Sequence, residues 1–383
     1  MPTRHWDIFC TVIDNLGDIA TCWRLAQILH HEHGQHVRLF VDELNALKTL
    51  VPAAQSTAQQ TLYGIEVRQW TESFPDTQPA QVVIETFGCT LPASYVRAMQ
   101  ATPPLAWINL EYMSCEDWVD NIHNHDSILA HGLKKRFIIP SLRAHGGGLL
   151  RESDLLRRRD DFLSHPAQQR AWCEQWNIPL PIGGANSLKL SLFGYENPQF
   201  APFLHDLSQA PQPITAYLPQ SRLLNSLREY LHNPDLSAGD TYQHGSLTLH
   251  ILPFLPQAEY DRLLWLCDIN FVRGEESLTR AIWAGKPFIW HIYPTDDHAH
   301  QVKLNAFLEV YTEHGEDEHL QHLRAWMQQW NGLPSATEVD ICSGLNMLIQ
   351  HQEWHQRRST ELAQRPNLCQ QLMDFVAFVP ATG

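Results

Sequence analysis

Two aspartates near the N-terminus, Asp14 and Asp18, have the type and spacing of residues that could do acid–base chemistry. They lie in "DNLGDIATCWRLA", directly after the apolar run "IFCTVI". This pattern predicts a buried strand, a turn containing a glycine, and a helix from about Asp18. Because burying an unpaired charge costs several kcal/mol, two carboxylates at this corner need a function that compensates their charge.

A second group of functional residues lies in "INFVRGEESLTRAIWAG". We predict that a strand ends at Arg273 and that Ser277 caps the following helix, since a serine hydroxyl can accept from an unpaired backbone N–H. Free N–H groups at a helix start beside an arginine suit a diphosphate, and Gly274 allows close approach of the backbone. Glu275 and Glu276 would then contact sugar hydroxyls or orient other groups. The alternative is an ordinary capped helix with a surface arginine.

Three aromatic residues lie near the ends of other predicted strands in the same half, namely Phe193, Tyr195 and Phe254. They could line a pocket for a flat base, where stacking contributes roughly 1–3 kcal/mol per base. Any one of them taken singly fits core packing better. The sequence contains no D-x-D pair, so Arg273 and helix N–H groups would take the place of a metal ion at a diphosphate.

The histidine-rich stretch "HHEHGQH" at 30–36 is a candidate metal site. It does not fit the H-E-x-x-H pattern and falls at a predicted helix end, where polar residues are expected. The "DDHAH" stretch at 296–300 fits the start of another helix, where acidic residues are favourable. We therefore predict no metal site.

Short apolar runs alternate with helical patterns in both halves of the chain, which is typical of parallel sheets covered by helices. A segment rich in proline and glycine near residues 178–186 marks the predicted boundary and a possible hinge. The prediction is an α/β protein with two Rossmann-like, doubly wound domains facing a central cleft, at 1–180 and 181–383. The C-terminal helices are assigned to the second domain, with the alternative that the last helix packs back on the first. GT-B glycosyltransferases and two-lobed dehydrogenases share this plan, but no G-x-G-x-x-G follows a convincing strand.

Composition restricts the class of protein further. The chain has 383 residues, 44% of them hydrophobic, and a net charge of −15, which indicates a globular protein and argues against nucleic acid as a partner. No signal peptide or long apolar segment appears, so no membrane partner is expected. The eight scattered cysteines include no C-x-x-C pair, which favours free thiols in the cytoplasm.

Six stretches together resemble the bacterial elongation factor P arginine rhamnosyltransferases, the EarP family. They run in order from residue 7 to about residue 308: "DNLGDIATCWRLA", "ETFGC", "INLEYMSCEDWV", "LFGYEN", "RGEESLTRAIWAGKPFIWHIYP" and "HAHQVKLNAFL". The resemblance implies a GT-B enzyme that transfers L-rhamnose from dTDP-β-L-rhamnose to one arginine of elongation factor P, with inversion. It also implies no cofactor beyond this donor and no metal.

The resemblance also implies roles for individual residues. Asp18 would be the general base and Asp14 a second essential carboxylate. Glu275 would be a further catalytic residue that contacts the reacting groups. The N-terminal domain would then bind the acceptor protein and the C-terminal domain the donor. The donor site would consist of Phe193, Tyr195, Phe254, Arg273, Gly274, Glu275, Glu276 and Ser277.

The sequence departs from the family pattern at Leu16, Ala20, Thr21 and Glu276, and no departure removes a carboxylate or the arginine. Two other functions fit the same features. One is a GT-B transferase acting on a lipid-linked glycan; the other is a non-catalytic protein that binds a translation factor.

Overall fold

The computed structural model describes residues 2–13, 16–129, 132–181, 184, 187–313, 317–335 and 339–378. The chain divides into two compact units, Met1–Ser153 with Ala363–Gly383, and Asp154–Leu362. Each unit contains one largely parallel β-sheet, so the predicted α/β class is confirmed.

Eight strands form the sheet of the first unit: β1 (His5–Cys10), β2 (His36–Val41), β3 (Gln59–Leu62), β4 (Ile65–Gln69), β5 (Val82–Thr86), β6 (Ala106–Leu110), β7 (Asp126–Ile128) and β8 (Lys134–Ile138). Their order is β3-β4-β2-β1-β5-β6-β8-β7. The six inner strands are parallel, while β3 and β7 pair antiparallel at the two edges. All five residues of β5 and of β6 are buried, as expected for inner parallel strands.

The helices of the first unit are α1 (Gly17–His31), α2 (Leu44–Leu50), α3 (Ala93–Ala101), α4 (Val119–Ile122) and, from the end of the chain, α15 (Leu368–Phe378). Helix α1 follows β1 and packs against β1 and β2. Its apolar residues at helical spacing are buried, including Ile19, Trp23 and Leu29. The strand–turn–helix arrangement predicted around Asp18 is therefore present.

The C-terminal segment docks on the first unit through a glycine-rich loop. Gly148 has a φ of +68°, and a Cβ atom there would lie 2.4 Å from the carbonyl oxygen of Pro366. The Leu368 N–H donates to the Leu149 carbonyl at 3.1 Å, and the Arg365 guanidinium donates to the Leu142 carbonyl at 2.7 Å. Gly148 thus permits close packing of these two backbone segments.

Six strands form the sheet of the second unit: β9 (Leu188–Leu192), β10 (Ile214–Pro219), β11 (Thr241–His244), β12 (Leu247–Leu252), β13 (Ile269–Arg273) and β14 (Phe288–His291). Their order is β11-β12-β10-β9-β13-β14, with β11 antiparallel at one edge. The remaining strands are parallel, so their carboxyl ends lie along one edge of the sheet.

The remaining helices are α5 (Leu155–Ser164), α6 (Pro166–Gln175), α7 (Phe200–Ser208), α8 (Leu223–Tyr230), α9 (Gln257–Leu266), α10 (Gly274–Ala284), α11 (Ala299–Thr312), α12 (Glu318–Trp330), α13 (Ile341–Gln350) and α14 (Gln352–Ala363). Helix α10 connects β13 to β14 and packs against both. It ends at Gly285, whose φ of +66° is left-handed and therefore suits glycine.

The division between the units differs from the predicted boundary at residue 180, which lies inside the second unit. Helices α5 and α6 pack with the second unit: Arg159 donates to the Trp283 carbonyl at 2.8 Å, and the Trp172 indole donates to Glu259 at 2.7 Å. The segment rich in proline and glycine near 178–186 thus connects α6 to β9 within one unit. Residues 182, 183, 185 and 186 lie outside the described part of the chain, and so does the centre of the predicted hinge.

Candidate active site

The start of α10 directly follows the end of β13 in the second unit. Gly274 is the first helical residue and has a φ of +61°, a left-handed conformation that glycine adopts readily. The prediction that Ser277 caps this helix is wrong: Arg273 is the N-cap residue, and Ser277 lies buried inside the first turn. The helix starts earlier than predicted because Gly274 turns the chain without any intervening loop.

Arg273 is held between two aromatic rings at this point. Its guanidinium carbon lies 4.8 Å from the ring centroid of Phe193 and 4.9 Å from that of Tyr195. The arginine is 8% exposed, and its Nη1 is buried without a hydrogen-bond partner. A buried cationic donor without a partner is costly, so this atom is suited to an anionic ligand.

Three further residues complete the surroundings of Arg273 and were not predicted from the sequence. Tyr260 packs against Phe193, with 5.2 Å between the ring centroids. His291 and Tyr293 pack edge-on against Tyr195 at 5.2 and 5.5 Å. His291 and Tyr293 belong to the "WHIYP" stretch at the carboxyl end of β14, a position that could have identified them.

The His291 imidazole is neutral at physiological pH. Burial, together with the neighbouring Arg273 charge, lowers the pKa of His291 to about 4. Its Nδ1 is buried without a hydrogen-bond partner. His291 therefore contributes a polar but uncharged ring beside the charged guanidinium of Arg273.

The two glutamates of the first turn of α10 have different partners. Glu275 forms an ion pair with Lys303 of α11, a residue that the sequence analysis did not select. Glu276 accepts from the Gln257 side-chain amide at 3.2 Å. These contacts hold both carboxylates at the helix start beside Arg273.

Phe254 follows β12 and is partly buried. In the sheet β12 is separated from β9, which precedes Phe193, by β10. Parallel strands are about 4.8 Å apart, so Phe254 lies farther along the same edge than Phe193 and Tyr195. The second unit thus brings Phe193, Tyr195 and Arg273 into contact and places Phe254 two strands away.

Asp18 lies at the carboxyl edge of the sheet in the first unit. Its side chain is almost fully buried at 2% exposure. The Ile13 N–H donates to Oδ2 at 2.8 Å, and the Tyr112 hydroxyl donates to Oδ1 at 3.1 Å. Leu16 is the N-cap residue of α1, so Asp18 accepts from the segment before the helix instead of capping it. Asp14 lies outside the described residues.

Neighbouring groups at this edge include a second carboxylate and two thiols. The Val12 N–H donates to Asp42 Oδ1 at 3.0 Å, which parallels the Ile13–Asp18 bond one residue later. A hydrogen bond with Cys22 and burial raise the pKa of the Cys10 thiol, and the charges of Asp18 and Asp42 add to the effect. Both carboxylates therefore keep the Cys10 thiol protonated.

The "HHEHGQH" stretch spans the end of α1 and the start of β2. His30 is hydrogen-bonded through Nδ1 to the Gln35 carbonyl at 2.9 Å, and His36 is exposed. No group of three or more histidine, cysteine, aspartate or glutamate side chains could hold a metal ion within the ranges that the structure describes. Among the same residues no helix is both long and apolar enough to span a membrane.

Residues 6–377 match the family described as "Elongation-Factor P (EF-P) rhamnosyltransferase EarP". A protein-arginine rhamnosyltransferase of Pseudomonas putida is 48% identical over 308 residues, covering 80% of this chain and 81% of the relative. The corresponding Pseudomonas aeruginosa protein is 41% identical over 380 residues, covering 97% and 98%.

Solved structures agree with this match. One that describes EarP-mediated arginine glycosylation of translation elongation factor EF-P is 32% identical, with a TM-score of 0.68 and coverage of 98% of this chain and 99% of that one. A glycosyltransferase from Rickettsia africae has a TM-score of 0.52 at 11% identity, which shows the fold alone. The predicted GT-B fold is confirmed. With nearly the whole chain matched, this protein belongs to the EF-P rhamnosyltransferase EarP family, whose curated members are protein-arginine rhamnosyltransferases.

Proposed function

We propose that the enzyme transfers L-rhamnose from dTDP-β-L-rhamnose to the side chain of one arginine of elongation factor P, with inversion at the anomeric carbon. The second unit binds the donor and the first unit binds most of the acceptor protein. Asp18 is the general base, and Asp14 is the second carboxylate that binds the acceptor.

Arg273 is the observation that carries the donor assignment. Its buried, unpartnered Nη1 and the N–H groups at the start of α10 offer donors to a diphosphate. Phe193, Tyr195 and Phe254 supply aromatic surface for the thymine base, and Gly274 gives the diphosphate room to approach the backbone. Glu275, Glu276 and Ser277, in the first turn of the helix, bind the sugar and orient the leaving group.

No metal ion or other cofactor takes part in the proposed reaction. Departure of dTDP leaves negative charge on the diphosphate, and Arg273 together with the α10 N–H groups stabilises it. The absence of a D-x-D pair from the sequence supports this assignment, because metal-dependent nucleotide-sugar sites need carboxylate ligands for the ion.

The acceptor restricts how Asp18 can act. A guanidinium is a much weaker acid than a carboxylic acid, by about 10 pKa units, so complete deprotonation of the arginine by Asp18 before attack would cost about 13 kcal/mol. We therefore place proton transfer in the same step as bond formation. The guanidinium nitrogen attacks the anomeric carbon as the carbon–oxygen bond to dTDP breaks, and the proton that the nitrogen loses passes to the Asp18 carboxylate.

Two carboxylates suit this chemistry better than one. They can hold the guanidinium through charge-assisted hydrogen bonds and direct one nitrogen at the sugar. The bound arginine also compensates the charge of Asp18, which is 2% exposed.

A translation factor as acceptor places the reaction in the cytoplasm. All eight cysteines are free, which supports a reducing compartment. The relatives described above support the acceptor, since the family description and the solved relative both name EF-P.

The test is the intact mass of purified elongation factor P after incubation with the enzyme and dTDP-L-rhamnose. We expect one added deoxyhexose, which disappears when the target arginine is changed to lysine and persists when the assay contains EDTA. No added mass from an enzyme that still binds dTDP would contradict the proposed acceptor. It would then favour another GT-B acceptor such as a lipid-linked glycan. Loss of the product in EDTA would contradict the metal-independent mechanism alone.

A further inference from the structure

Tyr112 donates its hydroxyl to Asp18 Oδ1 from the segment that follows β6. We propose that Tyr112 is a positioning residue: its hydroxyl fixes the plane of the Asp18 carboxylate and stabilises the ionised form that accepts the proton. This inference rests on the proposed role of Asp18 as general base.

The geometry of the two hydrogen bonds carries the first step. The Ile13 N–H holds one carboxylate oxygen and the Tyr112 hydroxyl holds the other. Two donors on opposite oxygens restrict rotation of the carboxylate and so fix the orientation of its plane.

Phe87 holds the Tyr112 ring in place. The two rings stack with 4.6 Å between centroids and 17° between planes. Phe87 follows β5 and has a φ of +55°, a left-handed conformation that is uncommon for a bulky residue. Its N–H donates to the Leu110 carbonyl at 2.8 Å, at the end of β6. The contact with β6 thus fixes Phe87 in this uncommon conformation, and Phe87 in turn supports the Tyr112 ring.

The electrostatic surroundings explain why the ionised form needs support. The titratable groups on the adjoining elements are the thiols of Cys10 in β1 and Cys22 in α1, and Asp42 after β2; Asp14 lies outside the described residues. Asp18 is 2% exposed. Burial disfavours the ionised form of a carboxylate, whereas a donated hydrogen bond favours it.

The experiment compares single-turnover rates of rhamnosyl transfer across pH for the wild-type enzyme, Tyr112→Phe and Phe87→Leu. Removal of one hydrogen bond to a charged group should lower the rate of Tyr112→Phe about 10- to 100-fold at acidic pH. The acid limb of its pH profile should move up by about one pH unit. Phe87→Leu keeps the hydroxyl but loses the stack, so both changes should be smaller. Donor KM should stay unchanged in both variants.

Tyr63→Phe is the matched control, because Tyr63 is an exposed tyrosine of the same unit, and it should behave as wild type. A Tyr112→Phe enzyme with the wild-type rate, or with a lower rate and an unmoved acid limb, would overturn the positioning role. Asp18→Asn, assayed alongside, separates the two proposals. If Asp18→Asn is inactive, the general-base proposal stands and the Tyr112→Phe result tests the positioning role alone. If Asp18→Asn turns over normally, the general-base proposal fails and this inference fails with it.

Discussion

Arg273 and His291 are register partners in adjacent parallel strands and contact the same Tyr195 ring. The guanidinium carbon lies 4.9 Å from the Tyr195 ring centroid, and the imidazole centroid lies 5.2 Å from it. One member of the pair is charged and the other is kept neutral by burial and by its neighbour's charge. At this carboxyl edge of the second sheet a charged guanidinium and an uncharged imidazole therefore flank the same aromatic ring.

Replacement of Arg273 by lysine should weaken dTDP binding. Lysine keeps the charge but loses the planar fork of donors and the stacking on Phe193 and Tyr195. Loss of one hydrogen bond to a charged group costs about 1.5–3 kcal/mol, which corresponds to about a 10- to 100-fold increase in Kd for dTDP. Isothermal titration with dTDP measures the change.

Arg222→Lys is the matched control for this variant. Arg222 belongs to the same unit but is half exposed, and it pairs with Glu196 at 2.7 Å. Its replacement should leave dTDP affinity unchanged. Equal affinity of Arg273→Lys and wild type would remove Arg273 from the diphosphate site.

Replacement of Asp18 by asparagine should abolish turnover while the fold remains intact. Loss of a positioned proton acceptor lowers rates by about 10²- to 10⁴-fold. The asparagine carbonyl can still accept from the Ile13 N–H, and its amide can donate to the Tyr112 hydroxyl, so both neighbours keep a partner. Rates come from the intact-mass assay, and thermal unfolding reports the fold.

Asp42→Asn provides the comparison for Asp18→Asn. Asp42 is a carboxylate of the same unit that accepts from the adjacent amide, that of Val12, at 3.0 Å. Its change to asparagine should leave the rate close to that of wild type. A folded Asp18→Asn enzyme with near-normal turnover would contradict the general-base assignment.

Burial of neutral His291 makes stability depend on pH in a defined direction. The folded-state pKa of about 4 lies below the ordinary value of 6.5, so the unfolded chain binds more protons between these values. The contribution to stability is complete above pH 6.5 and is lost as pH falls towards 4. For this residue the resulting change in the free energy of unfolding between these pH limits is about 3 kcal/mol.

His291→Gln should therefore flatten the pH dependence of the unfolding free energy in this window. Urea unfolding between pH 4 and 7, followed by tryptophan fluorescence, measures it. His205→Gln is the control, because His205 is exposed on α7 of the same unit. An unchanged slope in His291→Gln would show that the pKa of His291 is the same in the folded and unfolded states, and it would contradict the lowered folded-state value.

The sequence predicted the inner strands and the location of Asp18 and Arg273 because a local pattern marks them. An apolar run that ends in glycine and acidic or basic residues identifies the carboxyl end of a parallel strand. The edge strands β3, β7 and β11 carry no such pattern, since their residues are largely polar or exposed.

Contacts between side chains on different strands could not be predicted from the sequence either. Tyr112 meets Asp18 because β6 and β1 flank β5 in the sheet, an order that no local pattern specifies. His291 meets Tyr195 for a similar reason, through β13 between β9 and β14. The position of the helix start at Gly274 depended on one left-handed φ angle, which the residue types allowed but did not require.

Docking of the C-terminal segment on the first unit should depend on Gly148. A methyl group at this residue would lie 2.4 Å from the Pro366 carbonyl oxygen, in addition to the strain of a φ of +68°. Gly34 has nearly the same φ, +63°, and no heavy atom within 4 Å of the added carbon. Gly34→Ala should cost about 1 kcal/mol of stability from the left-handed conformation. Gly148→Ala should cost more and should speed proteolysis or hydrogen exchange of α15 in particular. Equal losses of stability in the two variants would mean that the loop moves away from Pro366 without penalty.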